Sequence, residues 1–201
     1  MKILSSLNQV SFRKTLVANC SVIKKQDMPY PCSIYNLSQQ DDSDYFEKIP
    51  NKYEWGCARY LCYLKDDLVE LDEKTDRKIY VLEDNNGSCL GYSEVLYGED
   101  NIDEVLFLET VPTHSFSNSH NSSFKYIGET LLAFCVKKSK KQKAKRVEIH
   151  ESVASKKFYK DKCSFNPPKK DIDPFYLNRR EFEKFIKQNE LHTKTTIELV
   201  G

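Results

Sequence analysis

Apolar residues recur along this chain at two different spacings, which divide it into strands and helices. The run Lys78–Glu83 (KIYVLE) is rich in β-branched and aromatic residues and predicts a strand. Asp84-Asn85-Asn86-Gly87 follows, and an Asn-Gly pair tolerates the positive φ angles of a tight hairpin turn, so Ser88–Tyr97 is the returning strand. Glu104–Thr110 (EVLFLET) is almost continuously apolar, which suits a central strand, and Pro112 ends it because proline has no N–H to give a sheet. Cys32–Leu37 reads as the first strand, Arg146–His150 as a buried one, and Cys163–Phe165 as the start of another.

Steps of three and four residues mark the helices. Between Tyr53 and Leu71 two such series run together: Trp55, Ala58 and Cys62, and Tyr60, Leu61, Leu64 and Leu68. From about Phe124 to Lys140, Ile127, Leu131, Phe134 and Cys135 form one apolar stripe. Lysines crowd the end of that helix, where the macrodipole favours cations. A short helix is expected over Val153–Lys160. The last helix, about Arg179–Asn189, follows the break at Pro167-Pro168. Strands alternating with helices in this order predict a mixed α/β layer fold.

Length and composition narrow the picture. At 201 residues, one domain is expected, over 31–201, with 1–30 as a loosely attached arm that lacks periodicity and carries Pro29 and Pro31. The net charge of +1 gives no reason to expect a polyanionic partner, so nucleic acid is not favoured. No stretch approaches the ~20 apolar residues of a membrane span. Seven cysteines, an odd number, contain no C-x-x-C pair; buried reduced thiols fit better than disulfides or zinc, and no metal is expected. With no signal-like N-terminal run, the expected location is the cytoplasm.

Candidate chemistry lies where a strand and loop lead into Lys125-Tyr126-Ile127-Gly128-Glu129-Thr130 at the start of a helix. A helix N-terminus exposes unpaired backbone N–H groups and a partial positive charge, which suit a diphosphate. Gly128 lets the backbone approach without a Cβ, and Lys125 adds a mobile cation. The same glycine also reads as a packing choice.

This passage resembles the coenzyme A loop of the GNAT superfamily of acetyltransferases, Gln/Arg-x-x-Gly-x-Gly/Ala between a strand and a helix. Lys125 stands at the Gln/Arg position and Gly128 matches, while Thr130 replaces the last small residue. Lys is a poorer planar donor than Arg, and Thr130 brings a branched Cβ whose hydroxyl is placed to bond a phosphate. Downstream, Ser155-Lys156-Lys157-Phe158-Tyr159-Lys160-Asp161-Lys162-Cys163-Ser164-Phe165 is similar to the family's Ala-x-x-Leu-Tyr-x-Lys-x-Gly-Phe, with Ser164 for glycine and Phe165 one residue late. Upstream, Leu90-Gly91-Tyr92 is similar to its Val/Ile-Gly-Tyr/Phe. The family usually sets its loop about three residues after the strand-ending proline; here Pro112 and Lys125 are thirteen apart, and Thr113–Ser123 is either a substrate lid or a surface excursion.

The resemblance implies a central mixed, mostly antiparallel sheet flanked by helices on both faces. It implies an N-acetyltransferase that moves an acetyl group from acetyl-CoA, as acyl-donor substrate, to a primary amine by direct attack in a ternary complex. A catalytically degenerate coenzyme A-binding or protein-interaction member is the alternative. Thr110, Val111, Lys125, Tyr126, Ile127, Gly128, Glu129, Thr130 and Ser152 are the implied cofactor contacts. Tyr159 is the implied acid for the departing thiolate. Glu109, at the strand end, is the candidate base, with Glu94 an equal alternative and Tyr159 and Glu109 together the catalytic pair. His150 reads as structural and Cys135 as core. The basic run Lys137–Arg146 reads as a solvated face, or as an attractor for the 3′-phosphate of coenzyme A or an acidic partner. The amine, small molecule or protein, is not readable, and neither is whether the chain is a monomer or a homodimer.

Overall fold

The computed structural model describes residues 14–24, 27–37, 76–98, 100–110, 123–150, 155–170 and 173–201. The helix expected over Tyr53–Leu71, together with Val111, Pro112, the Thr113–Ser122 part of the loop, and Ser152, lies outside the described residues.

Strand β1 (Thr15–Lys24) runs into β2 (Met28–Leu37), and β3 (Asp76–Asp84), β4 (Cys89–Tyr97) and β5 (Ile102–Thr110) follow. A two-residue strand β6 (Phe124–Lys125) leads into helix α1 (Ile127–Lys141) and then β7 (Arg146–Ile149). After a π-helical turn at Phe158–Lys162 come β8 (Phe175–Asn178), helix α2 (Arg179–Thr193) and β9 (Glu198–Leu199). The strands form one sheet in the order β6-β1-β2-β3-β4-β5-β7-β8, with β9 also against β1. Only β5 and β7 pair in parallel; the other neighbours are antiparallel. The expected mixed, mostly antiparallel sheet is present.

Residues 15–24, expected in a loose arm, instead make β1 and pair along β2 from Thr15↔Asn36 to Lys24↔Met28. Ala18, Cys20 and Val22 alternate into the core, but these are small or weakly apolar residues, and a bulge between Leu16 and Ala18 breaks the period. Pro29 and Pro31 sit inside β2, at a level where β3 does not reach: β3 pairs only with Cys32–Leu37. A strand free on one side tolerates proline.

The β3–β4 hairpin turns through a three-residue loop. The Asp84 carbonyl accepts from Gly87 N at 3.0 Å, and only Gly87 takes a positive φ, 76°. The Asp84 carboxylate accepts the amides of Asn86 and Ser88, both at 2.8 Å, which fixes the loop from inside.

Helices α1 and α2 lie on the same face of the sheet. Leu131, Leu132, Phe134, Val136, Phe182 and Ile186 join Ala18, Ile34, Leu82, Val105, Val147 and Leu177 in one core. On the opposite face Leu37, Ile79, Val81, Cys89 and Tyr92 form a second, smaller cluster, with Tyr35 and Phe107 packed against it. Among the described residues no helix is long and apolar enough to cross a membrane.

The lysines at the end of α1 are not simply solvated. Lys137 Nζ donates to Glu190 at 3.1 Å and to the Ile197 carbonyl at 2.6 Å, Lys141 Nζ donates to the Gly201 carbonyl at 2.6 Å, and Lys140 pairs with Glu183. They fasten α2 and the C-terminal segment to α1. Cys163–Phe165 does not start a strand. Ser164 adopts φ 55°, Phe165 N donates back to the Tyr159 carbonyl at 3.0 Å, and only Asn166 bridges to Tyr176.

Candidate active site at the parting of β5 and β7

Strand β5 pairs with β7 only from Ile102↔Arg146 to Val105↔Ile149, then runs on to Thr110 without it. A bulge in β5 falls at the same level. On its other side β5 pairs Glu94↔Phe107 and then Val95↔Val105, so Leu106 is an extra residue. An added residue bends its strand and ends regular pairing. Val105 and Phe107 consequently face opposite sides of the sheet, one in each apolar cluster. Beyond the bulge β5 continues to Thr110, past the end of β7 at Ile149.

Helix α1 begins against the far end of β5, with Gly128 beside Thr110. Gly91 lets it come close: a Cβ there would lie 2.8 Å from the Glu109 carbonyl and 3.0 Å from Ile127 and Leu131. The helix starts three residues later than the apolar stripe predicts. Phe124-Lys125 first pair with Lys24 and Ile23 of β1, and Tyr126 then turns through φ 67°, ψ 19°. A bulky residue in this left-handed region is strained, and here the Tyr126 ring stacks on His192 with centroids 5.2 Å apart.

The first helical hydrogen bond runs from Thr130 N to the Tyr126 carbonyl at 2.9 Å, so the amides of Ile127, Gly128 and Glu129 stand ahead of the ladder. Glu129 complicates the turn. Burial raises its carboxyl pKa, while its own amide and the nearby Lys162 act in the opposite direction. A carboxylate that takes its own amide at a helix start competes with an incoming anion.

The remaining expected contacts divide clearly. Thr110, at the end of β5, and Gly128 are brought together: a Cβ on Gly128 would lie 3.6 Å from the Thr110 methyl and 3.2 Å from the Phe158 ring. The missing side chain is thus used by Phe158, which supplies the packing reason for the glycine. Ile127 is a core residue, 2% exposed. Thr130 is fully buried, its hydroxyl accepting from Asn189 Nδ2 at 3.5 Å, so it faces the core rather than a phosphate. Lys125 donates to the Asp27 carboxylate at 3.1 Å and is not a free cation.

Tyr159 stands one residue from Phe158 in the π-helical turn. It is 4% exposed and set among the rings of Phe158, Phe165 and Phe175 at centroid distances of 5.1, 6.3 and 6.3 Å. Glu109 lies beyond the bulge, where the hydroxyl of its cross-strand partner Tyr92 donates to it at 2.9 Å. Glu94 is fully buried and ion-paired with Arg77, itself 7% exposed, so an acceptor from solvent does not reach it. Cys135 is wholly buried, and burial pushes its thiol up to about 12, which rules out a ready nucleophile. Sequence reasoning missed the Leu106 bulge and the Phe158–Gly128 contact. The unbroken run Val105-Leu106-Phe107-Leu108, which lacks the period of two, was the available signal for the first.

No family model matches the sequence, and no curated protein matches it. Solved structures do match. A GNAT-family protein from Desulfovibrio desulfuricans superposes with a TM-score of 0.54 at 10% identity, over 74% of this chain and 99% of that one. A protein from an Exiguobacterium species assigned to the acetyltransferases gives 0.51 at 12% identity, over 76% and 97%. A chimera of the Vibrio cholerae spermidine N-acetyltransferase SpeG with hSSAT gives 0.50 at 13% identity, over 76% and 98%. The chain therefore has the GNAT fold.

Proposed function

We propose that this chain is an N-acetyltransferase that binds acetyl-CoA where β5 and β7 cease to pair and passes the acetyl group to a primary amine in a ternary complex. The observation that carries the reading is that β5–β7 pairing stops at the Leu106 bulge while the end of β5, at Thr110, reaches Gly128 in the first turn of α1. Past the last β5–β7 pair, the end of β5 toward Thr110 is where the amides of a pantetheine arm would join in the manner of an added strand. The diphosphate then meets the free end of α1, where the Ile127 and Gly128 amides supply donors. Tyr126 and Glu129 flank these donors, and Lys125 acts only after release from Asp27.

Tyr159 is the acid that protonates the departing thiolate; its place beside Phe158 puts it next to the start of α1. The protein works in the cytoplasm and needs no metal. The Glu129 carboxyl in the turn favours a second reading, a member of the fold that binds coenzyme A poorly and acts through protein contacts.

Calorimetric titration with acetyl-CoA, followed by thiol release with spermidine, a lysine peptide and an aminoglycoside as acceptors, separates the readings. Binding with thiol release is the expected result. Binding without release supports the second reading, and no binding at millimolar ligand overturns both.

A further inference from the structure

The residues where β5 and β7 pair carry charged chemistry on the face turned away from α1. In β7, Val147 and Ile149 point into the core beneath the helices, so Arg146, Glu148 and then His150 point to the other side. Parallel register sets Glu104 of β5 beside Glu148. His150 Nε2 lies 3.1 Å from Glu104 Oε1, with the two side chains 58% and 29% exposed, while Arg146 pairs with Glu148 at 2.6 Å. Val105↔Ile149 is the last pair before the strands part. The Glu104–His150 pair therefore sits at the last paired level of β5 and β7, open to solvent, on the side opposite the helix that would hold the diphosphate.

Resting on the acetyltransferase reading, we propose that Glu104 and His150 form the general base that deprotonates the acceptor amine. The geometry assigns each a part. A neutral imidazole that gives its Nε2–H to Glu104 keeps its lone pair on Nδ1, and the carboxylate stabilises the imidazolium once a proton arrives. The ammonium of the acceptor loses one proton to Nδ1, and its nitrogen then forms the bond to the thioester carbonyl carbon. The C–S bond breaks as the second N–H proton leaves. The thiolate takes one proton through Tyr159, and His150 returns the other to solvent, giving amide, thiol and one released proton. An amine entering from this face approaches the carbonyl from the side not filled by the donor. Glu94 is sealed with Arg77, and Glu109 is engaged by Tyr92; among the described residues neither has an imidazole partner.

The test uses the full chain and its Glu104→Gln and His150→Gln variants, with acetyl-CoA and two acceptors: spermidine, and hydroxylamine, which is largely neutral at pH 7. Both variants are expected to lose about a hundredfold or more in kcat for spermidine. They are also expected to lose the ascending limb of the pH–rate profile, keep their affinity for acetyl-CoA, and stay close to the parent rate with hydroxylamine. An active parent whose variants keep both kcat and the pH profile overturns the pair as base. Transfer of the profile change to Glu109→Gln overturns it in favour of that carboxylate. Equal losses with both acceptors overturn it in favour of a structural role. A parent that binds no acetyl-CoA fails earlier, at the reading on which the pair depends.

Discussion

Ser164 shows how one residue records a backbone demand. It stands where the family signature has glycine, and it adopts φ 55°. The left-handed region costs a residue with a Cβ about 1–2 kcal/mol, part of which glycine gives back through its freer unfolded chain. Ser164→Gly is expected to raise stability by about 0.5–1 kcal/mol in urea unfolding; a lower midpoint would remove this account. At Tyr159 the demand is chemical. Phenylalanine keeps the packing with Phe158, Phe165 and Phe175 and removes only the hydroxyl. Tyr159→Phe is expected to lower turnover by roughly a hundredfold with acetyl-CoA affinity unchanged, in thiol-release and calorimetric assays. Unchanged turnover would withdraw the acid assignment. At the same scale, Gly128 and Gly91 were legible as sites of close approach, yet the partner at Gly128 was not. No local pattern says that Phe158, thirty residues on, will fill the space.

Among the elements, strands with strong alternation or β-branched runs were readable to within two or three residues, as β3, β4, β5 and β7 show. β1 was not, because Ala18 and Cys20 give little apolar contrast. β6 was absorbed into the predicted helix because its two residues have no period of their own. The Leu106 bulge is an element-scale device with a direct test. Deleting Leu106 leaves Val105 and Phe107 as successive residues facing opposite sides of the sheet, which regular β structure allows. The deletion is expected to preserve the melting transition but lose measurable acetyl-CoA binding; retained binding would show that the bulge does not open the site. Helix α2 offers a second test. Glu181 Oε2 accepts from Asn178 N at 2.9 Å, Asn178 Nδ2 at 3.0 Å and Asn166 Nδ2 at 2.9 Å. Burial works against its charge, but these bonds more than offset it, and its carboxyl is held below the usual value. A lowered folded pKa means the stabilisation is full above the unfolded carboxyl pKa, about 4.3, and fades as pH falls through the folded value. Glu181→Gln is expected to cost about 1 kcal/mol at pH 7, with a smaller difference from the parent at pH 3. An equal difference at both pH values would contradict the capping account.

Across the whole molecule, the fold class was legible because the order of strands and helices is a local record, while the way the chain closes is not. The basic run at the end of α1 looked like a solvated face; in the structure it meets Glu183, Glu190 and the carbonyls of Ile197 and Gly201. Such contacts join residues 43 to 60 positions apart, which spacing rules do not reach. Ile197 is the apolar anchor of this closure at 1% exposure. Ile197→Ala is expected to cost about 2–4 kcal/mol of unfolding free energy, well above a surface change. A loss below half of that would mean the C-terminal segment contributes little.

The register Ala18↔Leu199 has a consequence for how the molecule is made. About 180 residues separate the two partners, so at ~5–20 residues per second a ribosome needs roughly ten to forty seconds between emitting one and the other. For that interval β1 carries an unmatched row of hydrogen-bonding groups, available to any neighbouring polypeptide. Nascent copies crowded on one message are thus exposed to mispairing until β9 has emerged.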